Sequence, residues 1–216
     1  YYINRGEDMF IERLSKKFNS DEPIFTEDII KLFSDYSRAQ VFRYIEKAKE
    51  NKEIVQFDKG IYYIPRVTFW GGLSTIAADD IVAKRYLRND KRIYGVYSGI
   101  KLLNNFSVTT QMPAVIEVVS NNETMRRREI ELSGRKFVLR KSRCEINAGN
   151  YAAYTILQLF NDFDNRDELN DSSRRRLLEY IKKQNVTQEQ LFRMSANFPA
   201  KATKNLVRSG IINAIA

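Results

Sequence analysis

Ser37 to Pro65 reads SRAQVFRYIEKAKENKEIVQFDKGIYYIP. Ser37 is a good N-cap, because its hydroxyl accepts a hydrogen bond from an N–H that the first helical turn leaves unpaired. The helix it opens is predicted over Arg38–Asn51. Val41, Ile45 and Ala48, with Phe42 or Tyr44, recur at three- and four-residue spacing and give that helix an apolar stripe. Arg38, Gln40, Arg43 and Lys47 fall largely on its other faces. Two segments rich in β-branched and aromatic residues follow, Ile54–Phe57 and Ile61–Ile64, and read as paired strands. Asp58-Lys59-Gly60 lies between them, where Gly60 suits a turn that needs a positive φ.

Upstream, Glu7–Phe18 is predicted as an amphipathic helix, with Met9 or Phe10, Leu14 and Phe18 on one side. In NSDEPIFT a polar loop leads to Ile24 and Phe25, which enter the core. Thr26 is expected to cap a second helix, Glu27–Phe33, whose first turn carries Glu27 and Asp28 as the helix dipole favours. Ser34-Asp35-Tyr36 is a short turn. Three helices and a hairpin in this order, with a very short turn before a basic third helix, predict a winged helix-turn-helix over residues 7–66. A B-DNA major groove, about 12 Å wide, accepts one helix, and the N-terminal residues of that helix face the base edges. Arg38, Gln40, Arg43 and Tyr44 are therefore the candidates for major-groove contact, Lys47 for phosphate, and Lys59 at the wing tip for backbone or minor groove. Arg can bridge guanine and Gln adenine by two hydrogen bonds. The same unit also serves as a protein-interaction module, and basic residues on an amphipathic helix form an ordinary solvated face.

The chain has 216 residues and a net charge of +9, a balance that favours anionic partners. Residues 1–70 hold 12 Lys+Arg and 12 Asp+Glu, so the whole excess lies beyond them. Within that neutral part, residues 38–52 carry five basic against two acidic residues. There is no histidine, which excludes every mechanism that needs an imidazole base and every histidine zinc site. One cysteine, Cys144, excludes an internal disulfide and suits a reducing compartment. No phosphate loop or dinucleotide fingerprint occurs. No apolar run approaches the roughly 18 residues that span a membrane. The start, YYINRGEDMF, shows no signal peptide, and the expectation is a cytoplasmic protein with no cofactor, no metal and no membrane partner.

The second part is predicted as a mixed α/β domain over residues 75–216, with a small basic sheet and C-terminal helices, which makes the fold class α+β. Phe69 and Trp70 lie in a connector, Arg66–Ser74, and are expected to pack into an interdomain seam. Thr75–Leu87 reads as a helix, and Ser98 is expected to cap another through Leu103. Ala114–Val119, Arg126–Leu132 and Arg135–Lys141 read as strands, the last two joined at Ser133-Gly134. Arg126, Arg127, Arg128, Arg135, Lys136, Arg140, Lys141 and Arg143 concentrate there as candidates for nucleic-acid or partner contact, a basic sheet face being able to track phosphates. The bland reading is a solvated sheet whose charges protect its edges. Glu117, Glu131 and Lys136 weakly suggest a metal-dependent nuclease. Tyr151–Phe160 reads as a buried helix, and NDFDNRDELND (161–171) as a solvated acidic loop lacking the glycine and closing Glu of a calcium site. Helices are predicted from Ser172 or Ser173 to Lys183, from a Thr187 cap to Met194, and over Ala200–Ala216.

The Ser37–Pro65 stretch resembles the helix and wing of AbiEi-type antitoxins. YGVYSGIKLLNNFSVTTQMPAVIEVVSNN is similar to the start of their C-terminal domain, where a small-residue helix leads through Thr-Thr-Gln-x-Pro, here Thr109 to Pro113, into a strand. The resemblance covers roughly residues 7–145. It implies a bacterial type IV toxin–antitoxin system, in which the antitoxin represses its own operon through the winged helix and opposes a nucleotidyltransferase-like toxin. The implied partners are double-stranded operator DNA with inverted repeats and, functionally, that toxin. Carried over, the reading helix is Arg38, Gln40, Arg43, Tyr44 and Lys47, and the wing centres on Lys59. The resemblance assigns no residue to antitoxicity. Against it stands a protein- or RNA-interaction module that grips its partner with the winged helix and basic sheet, without sequence-specific DNA binding.

Overall fold

Buried apolar side chains form two separate cores, one before residue 65 and one after residue 95. In a computed structural model, which describes residues 4–164 and 167–215, the chain is α+β and divides into two compact units, Tyr1–Ile81 and Val82–Ala216. The connector 66–74 falls within the first of these.

The first unit runs α1 (Asn4–Lys17), β1 (Ile24–Phe25), α2 (Thr26–Leu32), α3 (Arg38–Glu50), β2 (Val55–Asp58) and β3 (Ile61–Tyr63). Its antiparallel sheet has the order β1-β3-β2, so the short strand before α2 pairs with the returning strand of the wing. This is the winged helix-turn-helix topology. Phe10, Leu14, Ile29, Phe33, Val41, Ile45 and Ala48 are buried together, because each helix turns one stripe inward. The wing turns at Lys59-Gly60, with Gly60 at φ 75°. Thr26 does not cap α2: Phe25 holds that position, and the Thr26 N–H and hydroxyl both donate to the Gly60 carbonyl, at 3.0 and 3.3 Å. A tertiary acceptor thus competes successfully for a group with strong local propensity.

Arg66–Ser74 is a small hairpin rather than a plain connector. Val67 pairs with Leu73, and the Thr68 N–H donates to the Gly72 carbonyl at 2.7 Å. Asp21 accepts from both Arg66 and the Ser74 hydroxyl at its base. Phe69 and Trp70 sit at the tip, 94% and 90% exposed, with rings 5.3 Å apart edge to face. The tight turn points both rings away from the core of their own unit.

Helix α4 (Ala78–Val82) runs into a π-helical turn, Ala83–Leu87, where a continuous helix from Thr75 is predicted. The Arg88 N–H closes that turn on the Ala83 carbonyl, five residues back, at 3.0 Å. The second unit continues with β4 (Gly95–Ser98), α5 (Gly99–Asn105), β5 (Val115–Ser120), β6 (Arg128–Leu132) and β7 (Arg135–Lys141). The sheet order is β4-β5-β7-β6, with β5 and β7 parallel and the other pairs antiparallel. Ser133 and Gly134 both take positive φ, 51° and 77°, which matches the twist of a two-residue hairpin. Helices α6 (Tyr151–Asp162), α7 (Asp171–Lys183), α8 (Gln188–Ser195) and α9 (Ala200–Arg208) follow.

In α6 every residue from Ala152 to Phe160 is buried, so this helix is the axis around which α5, α8, α9 and β4 are laid. Helix α7 is capped by Asn170, whose side chain accepts from the Ser173 N–H at 2.8 Å, rather than opened by a serine. Thr187 caps α8 in a reciprocal capping box with Gln190. The final helix stops at Arg208, not at the end of the chain: the Ser209 hydroxyl donates to the Leu206 carbonyl and the Gly210 N–H to that of Val207, ending the ladder before a 3₁₀ turn, Ile211–Ala214. Among the described residues no helix is long and apolar enough to cross a membrane. Leu157 is fully buried in α6. We expect Leu157→Ala to destabilise the second unit by about 2–5 kcal/mol in denaturant titration, through lost burial and a residual cavity.

Candidate nucleic-acid interface

Ser37 anchors the start of α3. Its hydroxyl accepts from the Gln40 N–H at 3.3 Å, and Gln40 Oε1 accepts in return from the Ser37 N–H at 3.0 Å and its hydroxyl at 2.9 Å. Of the residues assigned to the major groove, Gln40 is thus held by the helix it belongs to. Its amide oxygen is engaged, and a two-bond contact to adenine would have to break the capping box. Arg38 and Arg43 are exposed. Their guanidinium groups lie 5.6 Å from the neighbouring Phe42 and Tyr44 rings respectively, which steadies them without consuming their donors.

Tyr44 is half-buried. Its ring lies 5.6 Å from that of Phe10 and 5.8 Å, edge on, from that of Tyr36. It belongs to the aromatic cluster that fixes α3 on α1 and the intervening turn. Lys47 is half-buried one turn beyond Arg43, and Lys59 is exposed at the wing tip beside the equally exposed Asp58. Sequence reasoning missed Arg13. Its guanidinium reaches Asp35 at 2.8 Å, the Leu32 carbonyl at 2.6 Å and the face of Phe33 at 4.5 Å. It ties α1 to both sides of the α2–α3 turn. These hydrogen bonds hold the Asp35 carboxyl below its ordinary range. A cation on the polar side of an amphipathic helix gives no local sign of such a role.

In the second unit the eight basic candidates do not share one face. Alternation along a strand sends neighbours to opposite sides of a sheet. Lys136 and Arg140 therefore share the side of Glu117, while Arg128, Arg135 and Lys141 lie on the side of Phe137 and Leu139. Arg126 and Arg127 precede β6. Arg127 pairs with Glu129 at 2.6 Å, and Arg140 with Glu117 at 2.9 Å. Lys136 stands opposite Glu131 in the ladder. Arg135 is exposed at the hairpin turn. Arg126, Arg140, Lys141 and Arg143 converge on one cavity of about 490 Å³. Glu131 lies outside its lining, and no group of three or more acidic, Cys or His side chains able to hold a metal forms among the described residues.

Arg128 has a structural partner. Glu123 is 3% exposed, and its carboxylate accepts from Arg128 at 2.9 Å and from the Thr124 and Met125 N–H groups at 2.9 and 3.0 Å. The second Arg128 branch donates to the Tyr86 hydroxyl at 2.9 Å. Burial pushes the Glu123 carboxyl up, but the Met125 N–H and Arg128 outweigh it, and the net shift is downward.

The geometry defines a class: a winged helix-turn-helix with a capped, cationic third helix, carried in one chain with an α/β unit. The chain belongs to the family described as Family of unknown function (DUF6088), which it matches over residues 11–189. No match was found among curated proteins.

A carboxyl held low when folded contributes stability above its ordinary range, and that contribution is lost as pH falls through the lowered value. Wild type is therefore expected to lose stability on that acid limb, and Glu123→Gln to flatten it. Arg128→Ala should cost about 2 kcal/mol at neutral pH, because it leaves a buried carboxylate short of its partner. Thermal melts from pH 3 to 7 check both.

Proposed function

We propose that the chain is a DNA-binding transcriptional autorepressor, and the antitoxin of a type IV toxin–antitoxin pair opposite a nucleotidyltransferase-like toxin. The observation that carries the DNA reading is the exposed pair Arg38 and Arg43 on a helix fixed at its start by the Ser37–Gln40 capping box and braced by the Arg13–Asp35 clamp. A reading helix needs side chains free to reach base edges and a backbone that does not have to be ordered on binding. Arg38 and Arg43 carry the base reading, and Lys59 reaches backbone from the wing. The antitoxin role rests on the resemblance of residues 7–145 to AbiEi-type proteins, and the cytoplasm is where both partners would meet.

Fluorescence anisotropy on the DNA upstream of the chain's own gene, against scrambled DNA at two salt concentrations, tests the reading. Wild type is expected to prefer the upstream DNA. Arg43→Ala should lower that affinity by roughly 5- to 150-fold, the loss of one base contact of about 1–3 kcal/mol. Lys59→Ala should weaken all DNA alike and reduce the salt slope by about 1. Equal binding of both DNAs, unchanged by Arg43→Ala, would overturn the reading in favour of an interaction module. The neutral charge of residues 1–70 is the feature consistent with that second reading.

A further inference from the structure

The cavity in the second unit is built from four parts of the chain. One side of the sheet supplies Ser98, Glu117, Val119 and Arg140. Helix α6 adds Gln158, Asn161 and Asp162, spaced so that all three meet on one face. Arg126, Lys141 and Arg143 come from the strand ends, and Lys201 from the first turn of α9. Its volume, about 490 Å³, lies within the range of roughly 300–1,000 Å³ that holds small-molecule ligands.

The two carboxylates of the cavity are already engaged. Glu117 Oε2 accepts two hydrogen bonds from Arg140, at 2.9 and 3.1 Å. Asp162 accepts from the Ser98 hydroxyl at 2.9 Å, the Gly99 N–H at 2.7 Å and Gln158 Nε2 at 2.7 Å, with Asn161 at 3.3 Å. Gly99 is needed there: it sits at φ 60°, and a Cβ would come within 2.9 Å of Glu117 Oε1. Arg126, Arg143 and Lys201 therefore line the cavity with no ion pair among the described residues. Like charges brought together from separate elements repel one another. A ligand with concentrated negative charge relieves that repulsion.

Two features narrow the ligand further. Ser98 and Gln158 are 2% and 4% exposed, so polar groups are built into the floor rather than scattered on a surface. Gln158 spends its amide nitrogen on Ser98 and Asp162, and its amide oxygen accepts no hydrogen bond among the described residues, which leaves an acceptor for a hydroxyl. Among the described residues no aromatic side chain lines the cavity, so they offer no platform on which a base would stack. We propose that this cavity binds a sugar phosphate, presented either as a free small molecule or as the 5′-terminal phosphate of a nucleic-acid strand. The phosphate meets Arg126, Arg143 and Lys201, and the sugar hydroxyls meet Gln158 and Asn161.

Isothermal titration of the full chain separates these sources. The probes are ribose, ribose 5-phosphate, and a single-stranded tetranucleotide with and without a 5′-phosphate, too short to present a major groove. At least one phosphorylated probe is expected to bind tenfold or more tightly than its unphosphorylated counterpart. Binding of ribose 5-phosphate assigns a small molecule; binding of the phosphorylated tetranucleotide alone assigns a strand end. The double variant Arg126→Ala, Lys201→Ala, both exposed positions, should lose that binding tenfold or more while keeping the wild-type melting temperature, and each single variant should weaken it. Arg43→Ala should leave it unchanged, which keeps this result separate from that on operator DNA. The proposal is overturned if phosphorylated and unphosphorylated probes bind alike, or if the double variant binds as wild type.

Discussion

Helix α6 constrains the second unit more than any other element. A helix apolar all round has no face to give to water, so every side must be covered. Nine consecutive buried residues, Ala152 to Phe160, oblige α5, α8, α9 and β4 to surround it. Burial then makes each polar group on the helix costly unless it is paired. Thr155 answers with a 2.7 Å hydrogen bond to the Tyr151 carbonyl. The Tyr154 hydroxyl accepts from the Arg143 N–H at 3.0 Å, and burial pushes its pKa up to about 12. Gln158 and Asp162 turn toward Ser98 and Gly99, which joins the C-terminal end of α6 to the start of α5. The segment carrying Arg143 and the floor of the cavity are both positioned by what this helix needs to satisfy.

The first unit solves a smaller problem with ionic and aromatic contacts. Its helices are short and its sheet is narrow, so the turn before α3 is held from outside by Arg13 and from below by the Phe10, Phe33, Tyr36 and Tyr44 rings. The two units use cations in opposite ways. Arg13 and Arg128 are consumed by carboxylates and carbonyls of the protein itself, whereas Arg38, Arg43, Arg126 and Lys141 are left facing solvent or cavity. Residue type alone does not separate these groups; partners do.

What was legible in the sequence was what local physics decides. The Ser37 cap, the Val41–Ile45–Ala48 stripe, the wing turn and the buried run of α6 all follow from spacing within a few residues. The Ser-x-x-Gln spacing at 37–40 is itself a capping-box signature, so the engagement of Gln40 is readable once local hydrogen bonding is weighed ahead of base contact. Thr26 misleads because its acceptor, the Gly60 carbonyl, lies across the sheet. Asp162 misleads because it begins an acidic string that reads as solvated, although its spacing from Gln158 puts it on the face of a buried helix. The splitting of the basic residues of β7 between two faces follows from alternation within the strand, but the parallel pairing of β5 with β7, which sets Glu117 on the side of Arg140, is a property of topology that alternation cannot reveal.

The hairpin at residues 66–74 has a consequence for observing this molecule. Trp70 is the only tryptophan of the chain, and it is 90% exposed at the hairpin tip, away from the core of its own unit. Its indole emission in the folded protein is therefore already that of a hydrated ring, and unfolding that core changes its surroundings little. The intrinsic fluorescence is a poor gauge of folding but a selective reporter of the tip: whatever shields that indole from solvent shifts its emission to shorter wavelength against a nearly silent background.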